Sequence, residues 1–101
     1  MIIENNNLKK IISVLKKKKK KIVHCHGVFD VIHAGHIKYF KQAKKLGEIL
    51  IVSITSDQFV NKGSERPFFK INDRMQVINQ IKDIDYVIES NFPTAKNMIN
   101  I

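Results

Sequence analysis

The sequence predicts an α/β fold, an open parallel sheet with helices on both faces. Three observations carry that expectation. Branched apolar segments alternate along the chain with segments whose apolar residues recur at helical spacing. "EILIVSIT" (48–55) is a nearly continuous apolar run, the pattern of a strand buried on both faces of a parallel sheet. "KIVHCHG" (21–27) is a short apolar run ended by glycine and followed by a helical pattern, the order of a right-handed βαβ unit.

The elements follow in order. Asn5 to Asn7 offer a cap, and Leu8, Ile11, Ile12 and Leu15 fall at helical spacing behind them, so an amphipathic helix is expected first. Lys16 to Lys21 form a run of six lysines. Their mutual repulsion predicts a frayed helix end and a solvated linker. After the strand at 21–27, "HIKYFKQAKKLG" predicts a helix with Ile37, Phe40 and Ala43 on one face and Gly47 as its stop. "SDQFV" reads as a helical turn after the central strand. "NKGSERPFF" reads as a loop punctuated by Gly63 and Pro67. "NDRMQVINQIKD" predicts a helix capped by Asn72, with Met75, Ile78 and Ile81 as its buried stripe. "DYVIES" predicts a further strand, and "PTAKNMINI" opens a helix with Thr94 as its cap. The division expected is an N-terminal helix and lysine-rich linker over 1–21 and one α/β domain over 22–101. Ligands of such sheets bind beyond the carboxyl ends of the strands.

Composition bounds the function. The chain has 101 residues, enough for one domain with a small core. It holds no apolar run long enough to span a bilayer, so no membrane partner is expected. "MIIENNNLKK" lacks the charged-then-apolar order of a secretory leader, and one cysteine makes no internal disulfide, so a reducing cytoplasm is the expected compartment. The formal charge of +9 is nearly all lysine, with Arg66 and Arg74 as the arginines. Nucleic-acid binding by counterion release is one reading of that excess. Lysine bias is the favoured one, because lysines without arginine forks or interleaved aromatics read bases poorly. A small anionic substrate also suits a basic protein.

The chemistry gathers in "HCHGVFDVIHAGHIKYF" (24–40), which holds all four histidines, the cysteine and two of the four glycines. Gly27, Val28, Phe29 and Asp30 leave the first long strand at its carboxyl end, and His33 to His36 open the next helix. A helix N-terminus presents unpaired N–H groups and partial positive charge, which suits an anion. Gly27 and Gly35 are expected to let a polyphosphate approach the backbone. His33 and His36, three apart, project from one face of the first turn and suit a phosphate whose charge grows during a displacement. Weighed against this are packing histidines and a metal site at His24 and His26, which share a strand face. No carboxylate or second cysteine completes a metal shell nearby. Cys25 falls on the opposite face and reads as a small buried residue.

"GVFDVIHAGHIKYFKQAKKLG" resembles the signature of the nucleotidyltransferase superfamily with the HxGH motif, and "SITSD", "RPFF", "NDRMQVI" and "DYVIES" follow in the family's order. The chain is similar to glycerol-3-phosphate cytidylyltransferase and to the adenylyltransferase acting on heptose 1-phosphate. The resemblance implies a Rossmann-like fold and transfer of CMP or AMP from CTP or ATP to a phosphorylated sugar or glycerol phosphate, with Mg²⁺ on the triphosphate and release of pyrophosphate. It implies that His33, His36 and Lys62 are catalytic. It places Gly27, Val28, Phe29, Asp30, Gly35, Arg66 and Arg74 at the nucleotide, and Thr55, Ser56 and Asp57 at the acceptor. Relatives more often carry asparagine or tyrosine where His26 stands, which leaves its role open. They also continue through another strand to a Ser/Thr-rich segment that closes over the nucleotide. The resemblance therefore implies a domain truncated at its C-terminal end, either a fragment or the front of a fusion with a sugar kinase. A homodimer is common among relatives. A nucleotide-binding module without turnover and a basic nucleic-acid binder stay open beside the enzyme.

Overall fold

A computed structural model describes residues 1–60 and 67–91. Strands β1 (Ile2–Ile3), β2 (Ile22–Gly27), β3 (Ile49–Thr55) and β4 (Tyr86–Ser90) form one parallel sheet in the order β1-β4-β3-β2. Helices α1 (Leu8–Lys17), α2 (Ala34–Lys44) and α3 (Ile71–Asn79) connect them. The expected Rossmann-like α/β architecture is therefore present.

The side-chain alternation of β3 explains the layers. Leu50, Val52 and Ile54 point to one face, where Phe40 and Ala43 of α2 and Met75 and Ile78 of α3 pack with Val87. Ile51 points to the other face, where it meets Leu8 of α1, Ile3 and Ile88. Leu50, Ile51, Val52 and Ile54 are all fully buried, and each such side chain stabilises the fold by roughly 1.5–3 kcal/mol. The helices divide between the faces because the crossovers are right-handed. From β2 to β3 to β4 the chain steps one way across the sheet, which places α2 and α3 together. From β1 to β2 it steps the other way, which places α1 opposite.

Several expectations meet a different local cause. β1 is an edge strand with no counterpart among the expected elements, and it pairs Ile2 with Val87 and Ile3 with Ile88. Residues 1–21 thus contribute a strand as well as the expected helix. Asn5–Asn7 form a 3₁₀ turn, and Asn7 caps α1 without a side-chain hydrogen bond. The helix runs into the lysine run as far as Lys17, where cations favour the negative end of the helix dipole. Lys19 then turns the chain with φ 58°. Helix α3 begins at Ile71 with Lys70 as its N-cap and no side-chain cap bond, so Asn72 lies inside it. Tertiary contacts fix that entry. Asp30 accepts from the Phe68 and Phe69 amides at 2.8 and 2.9 Å, and Arg74 Nε donates to Phe69 O at 2.8 Å. Asp57–Phe59 form the expected short turn. Thr94 lies outside the described residues, among which no helix is long and apolar enough to cross a membrane.

Candidate active site

The carboxyl ends of β2, β3 and β4 deliver Gly27, Thr55 and Ser90 to one rim of the sheet. Helix α2 begins above that rim. Its N-cap is His33, with extended φ −137° and ψ −179°. The Gly35 amide donates to His33 Nδ1 at 3.0 Å, and the His33 amide donates to His36 Nδ1 at 3.2 Å. This is a capping box built from two imidazoles in place of the usual hydroxyl and carboxamide. The bonds decide the tautomers. Each Nδ1 accepts from a backbone N–H and so carries no proton, which leaves the proton of the neutral ring on Nε2. The ring centroids stand 4.2 Å apart. His33 is exposed and His36 half-buried.

The two motif glycines make room for rings of this chain. A Cβ on Gly27 would stand 2.7 Å from Phe29 Cζ, and one on Gly35 would stand 2.8 Å from His33 Cε1. A side chain at either position would therefore collide with Phe29 or with the capping imidazole. Phe29 has a positive φ of 50°, uncommon for an aromatic residue and a source of strain of about 1–3 kcal/mol. Its ring is held by Phe40 at 5.2 Å and by the edge of His36 at 5.8 Å. Gly27, Phe29 and His36 therefore form one packed unit.

Arg74 and Asp30 hold the rim together from beneath. Arg74 is 1% exposed. Its guanidinium donates to Phe69 O, Val28 O, Thr55 O and Asp57 Oδ1, at 2.8, 2.9, 2.7 and 2.5 Å. The structure thus gives Arg74 a clamping position inside the fold, tying the 28–30 turn to the end of β3 and to residues 67–69. The charge of Arg74 is visible in the sequence, whereas its burial is not. Asp30, also buried, spends its carboxylate on the Phe68 and Phe69 amides.

The acceptor candidates divide. Thr55 Oγ1 lies 3.3 Å from His26 Nε2 and 3.4 Å from Gly27 O. Asp57 pairs with Arg74. Ser56 Oγ is buried at the rim with no hydrogen-bond partner among the described residues. Such an orphan is uncommon and marks a polar atom with unused capacity. Lys62 and Arg66 lie outside the described residues. Cys25 is buried on the face away from His24 and His26, and burial pushes its thiol up while the Tyr39 hydroxyl bonded to it acts the other way.

Asp30 and Asp57 are engaged by the Phe68 and Phe69 amides and by Arg74. No group of three or more metal-ligating side chains occurs among the described residues.

Comparison with known proteins agrees with this geometry. The family model described as cytidylyltransferase-like matches residues 24–99. Bifunctional protein HldE of Yersinia enterocolitica (serotype O:8 / biotype 1B) is 33% identical over 100 residues, covering 97% of this chain and 21% of its own. Its namesake from Blochmanniella pennsylvanica is 39% identical over 89 residues, covering 86% of this chain and 19% of its own. The chain thus spans about a fifth of the length of these relatives. A solved lipopolysaccharide core biosynthesis protein from Thermoplasma volcanium GSS1 superposes with a TM-score of 0.66 at 36% identity, over 71% of this chain and 59% of that one. With the family model matched from β2 past β4, and with the sheet and the histidine-capped helix it implies in place, this chain belongs to the cytidylyltransferase-like family.

Proposed function

We propose that this chain is a nucleotidyltransferase domain that transfers CMP or AMP from a nucleoside triphosphate to a phosphorylated small molecule. An oxygen of the acceptor phosphate attacks the α-phosphorus in line, the bond from that phosphorus to the bridging oxygen breaks, and pyrophosphate leaves. Such chemistry needs no covalent intermediate. Positioning and charge stabilisation supply the catalysis.

The observation that carries the reading is the imidazole capping box. It sets two neutral rings, each with its proton on Nε2, at the N-terminus of an 11-residue helix. Those donors and the helix dipole favour charge that develops on a leaving pyrophosphate. Gly27 to Asp30 shape the nucleotide side of the site. Ser56, with its unused hydroxyl, is the acceptor contact we favour. Lys62 and Arg66 supply further cations to the phosphates. Mg²⁺ enters with the triphosphate and neutralises part of its charge. The acceptor is a sugar phosphate in our reading, which the resemblance to heptose 1-phosphate adenylyltransferases and the likeness to a lipopolysaccharide core biosynthesis protein support. The bifunctional character of the HldE relatives supports a second activity working beside this domain, and we infer a sugar kinase. The buried unpaired cysteine suits a reducing cytoplasm.

Calorimetry with CTP and ATP, each with Mg²⁺, followed by a pyrophosphate-release assay with sugar phosphates, tests the proposal. Base-selective triphosphate binding and release of pyrophosphate are expected. Equal, salt-sensitive binding of every polyanion would instead make the protein a nucleic-acid binder.

A further inference from the structure

On the α1 face of the sheet, β2 and β3 place four polar side chains in a line. Strand alternation puts His24 and His26 on the same side, and the parallel register sets Ser53 beside His26. Ser53 is fully buried, and its Oγ lies 2.7 Å from His24 Nε2 and 2.6 Å from His26 Nδ1. The far nitrogen of His26 lies 3.3 Å from Thr55 Oγ1, which stands 3.4 Å from the Gly27 carbonyl.

Donor counting gives this line a direction. A serine hydroxyl has one proton, so one imidazole must donate to Ser53 and the other must accept from it. If Thr55 donates to Gly27 O, it must accept from His26 Nε2–H. His26 Nδ1 is then the acceptor, Ser53 donates to it, and His24 Nε2–H donates to Ser53. That arrangement satisfies all four contacts. The reverse sense takes the Thr55 proton for His26 and loses the bond to Gly27. The line therefore runs His24, Ser53, His26, Thr55, Gly27 O, and it ends on the glycine against which Phe29 packs.

We propose that His26 is a positioning residue for the nucleotide pocket, fixing the Thr55 hydroxyl and the Gly27 carbonyl at the rim through this directed line, with His24 anchoring its far end. The functional half of the inference rests on the nucleotide-transfer reading above. The surroundings agree with neutral rings throughout. Burial lowers both imidazoles, His24 to about 4 with His26 as a second cause. Among the described residues, the titratable group that acts on His24 is the His26 ring. On this face β3 contributes the Ser53 and Thr55 hydroxyls, β4 contributes Ile88 and Ser90, and α1 packs with Leu8, Ile11 and Ile12. The lysines of α1 are exposed to solvent. Polar groups placed where valine would pack are retained only if satisfied, and a fully satisfied network specifies geometry.

The test is heteronuclear NMR of the histidine ring nitrogens in the nucleotide-free protein, paired with CTP and ATP titrations of the wild type and of Ser53→Ala. His24 and His26 are expected as fixed Nε2–H tautomers from about pH 8 to about pH 6. Ser53→Ala removes one hydroxyl from a small side chain. It is expected to release His26 into mixed tautomers, to shift the Gly27 and Val28 amide signals, and to weaken nucleotide binding about fivefold, the value of one ordinary hydrogen bond. His26→Gln, which restores an N–H toward Thr55, is expected to bind better than His26→Phe. An Nδ1–H tautomer at His26, or unchanged amide signals in Ser53→Ala, overturns the inference. Unchanged affinity in Ser53→Ala overturns it as well. If the wild type bound neither nucleotide, the transfer reading would fall, and the tautomers and amide shifts would still decide the line.

Discussion

Replacing Arg74 by alanine removes four hydrogen bonds from the interior at once. Three of the groups left behind are main-chain carbonyls, those of Val28, Thr55 and Phe69, and the fourth is the Asp57 carboxylate. An unsatisfied buried acceptor costs about 1–3 kcal/mol, so three carbonyls set an upper range of roughly 3–9 kcal/mol. Water entering the space vacated by the guanidinium lowers that figure, and breaking one side of a buried ion pair typically costs about 3–5 kcal/mol. Asp57 is 32% exposed and keeps part of its hydration, so the carbonyls dominate. We therefore expect Arg74→Ala to lose about 4 kcal/mol of an overall stability of about 5–15 kcal/mol. Arg74→Lys, which keeps the charge but not the fork, should lose about half as much. Urea unfolding followed by circular dichroism measures both. A loss below about 1 kcal/mol in Arg74→Ala, together with a tenfold drop in triphosphate affinity, would refute the clamp and place the guanidinium on the ligand.

Other outcomes follow from the same geometry. His36→Ala should cut turnover by about 10²–10³ while weakening nucleotide binding far less, as single-turnover and equilibrium titrations would show; near-normal turnover would remove His36 from the chemistry. Gly35→Ala should destabilise, although alanine ordinarily favours a helix by about 0.5–1 kcal/mol, because its Cβ would meet the His33 ring at 2.8 Å and break the cap; a raised Tm would contradict this. Stability should also fall as pH drops. His24 titrates near 4 in the folded chain against an ordinary 6.5, so between those values the unfolded chain takes up a proton that the native one refuses. The stabilisation is complete above about pH 6.5 and is lost toward about pH 4. It amounts to about 2 kcal/mol once the ring's partial exposure is discounted, and His24→Leu should flatten the dependence in urea titrations. Lys62→Ala and Arg66→Ala should each weaken triphosphate binding or slow transfer about tenfold, the effect of one charge-assisted contact.

Local pattern carried most of the fold. The continuous apolar run of β3, the glycine-ended β2 and the stripe of α2 are each legible within about ten residues of chain. β1 was not, because two isoleucines ahead of a polar stretch are shorter than any alternation that could be recognised, and their pairing partners, Val87 and Ile88, lie far along the chain. The site divides in the same way. The histidine spacing at the head of α2 is a local fact, and it led to a helix N-terminus bearing both rings. Which nitrogen each ring offers depends on backbone bonds that the spacing alone does not reveal. Arg74 and His26 were harder still. Both look like free functional groups in the sequence, and apart from the Phe69 carbonyl their partners come from strands and turns 17 to 46 residues away.

The imidazole capping box has a consequence for how a nucleotide would be held. Ordering a mobile side chain on binding costs about 0.5–1.5 kcal/mol. Here the backbone of α2 has already set the rotamer and tautomer of both rings, since each is a cap for the helix as well as a donor beyond it. The folding reaction therefore immobilises these groups before any ligand arrives. An incoming phosphate would meet preorganised donors, and its charge could shift between oxygens during reaction without waiting for a side chain to turn.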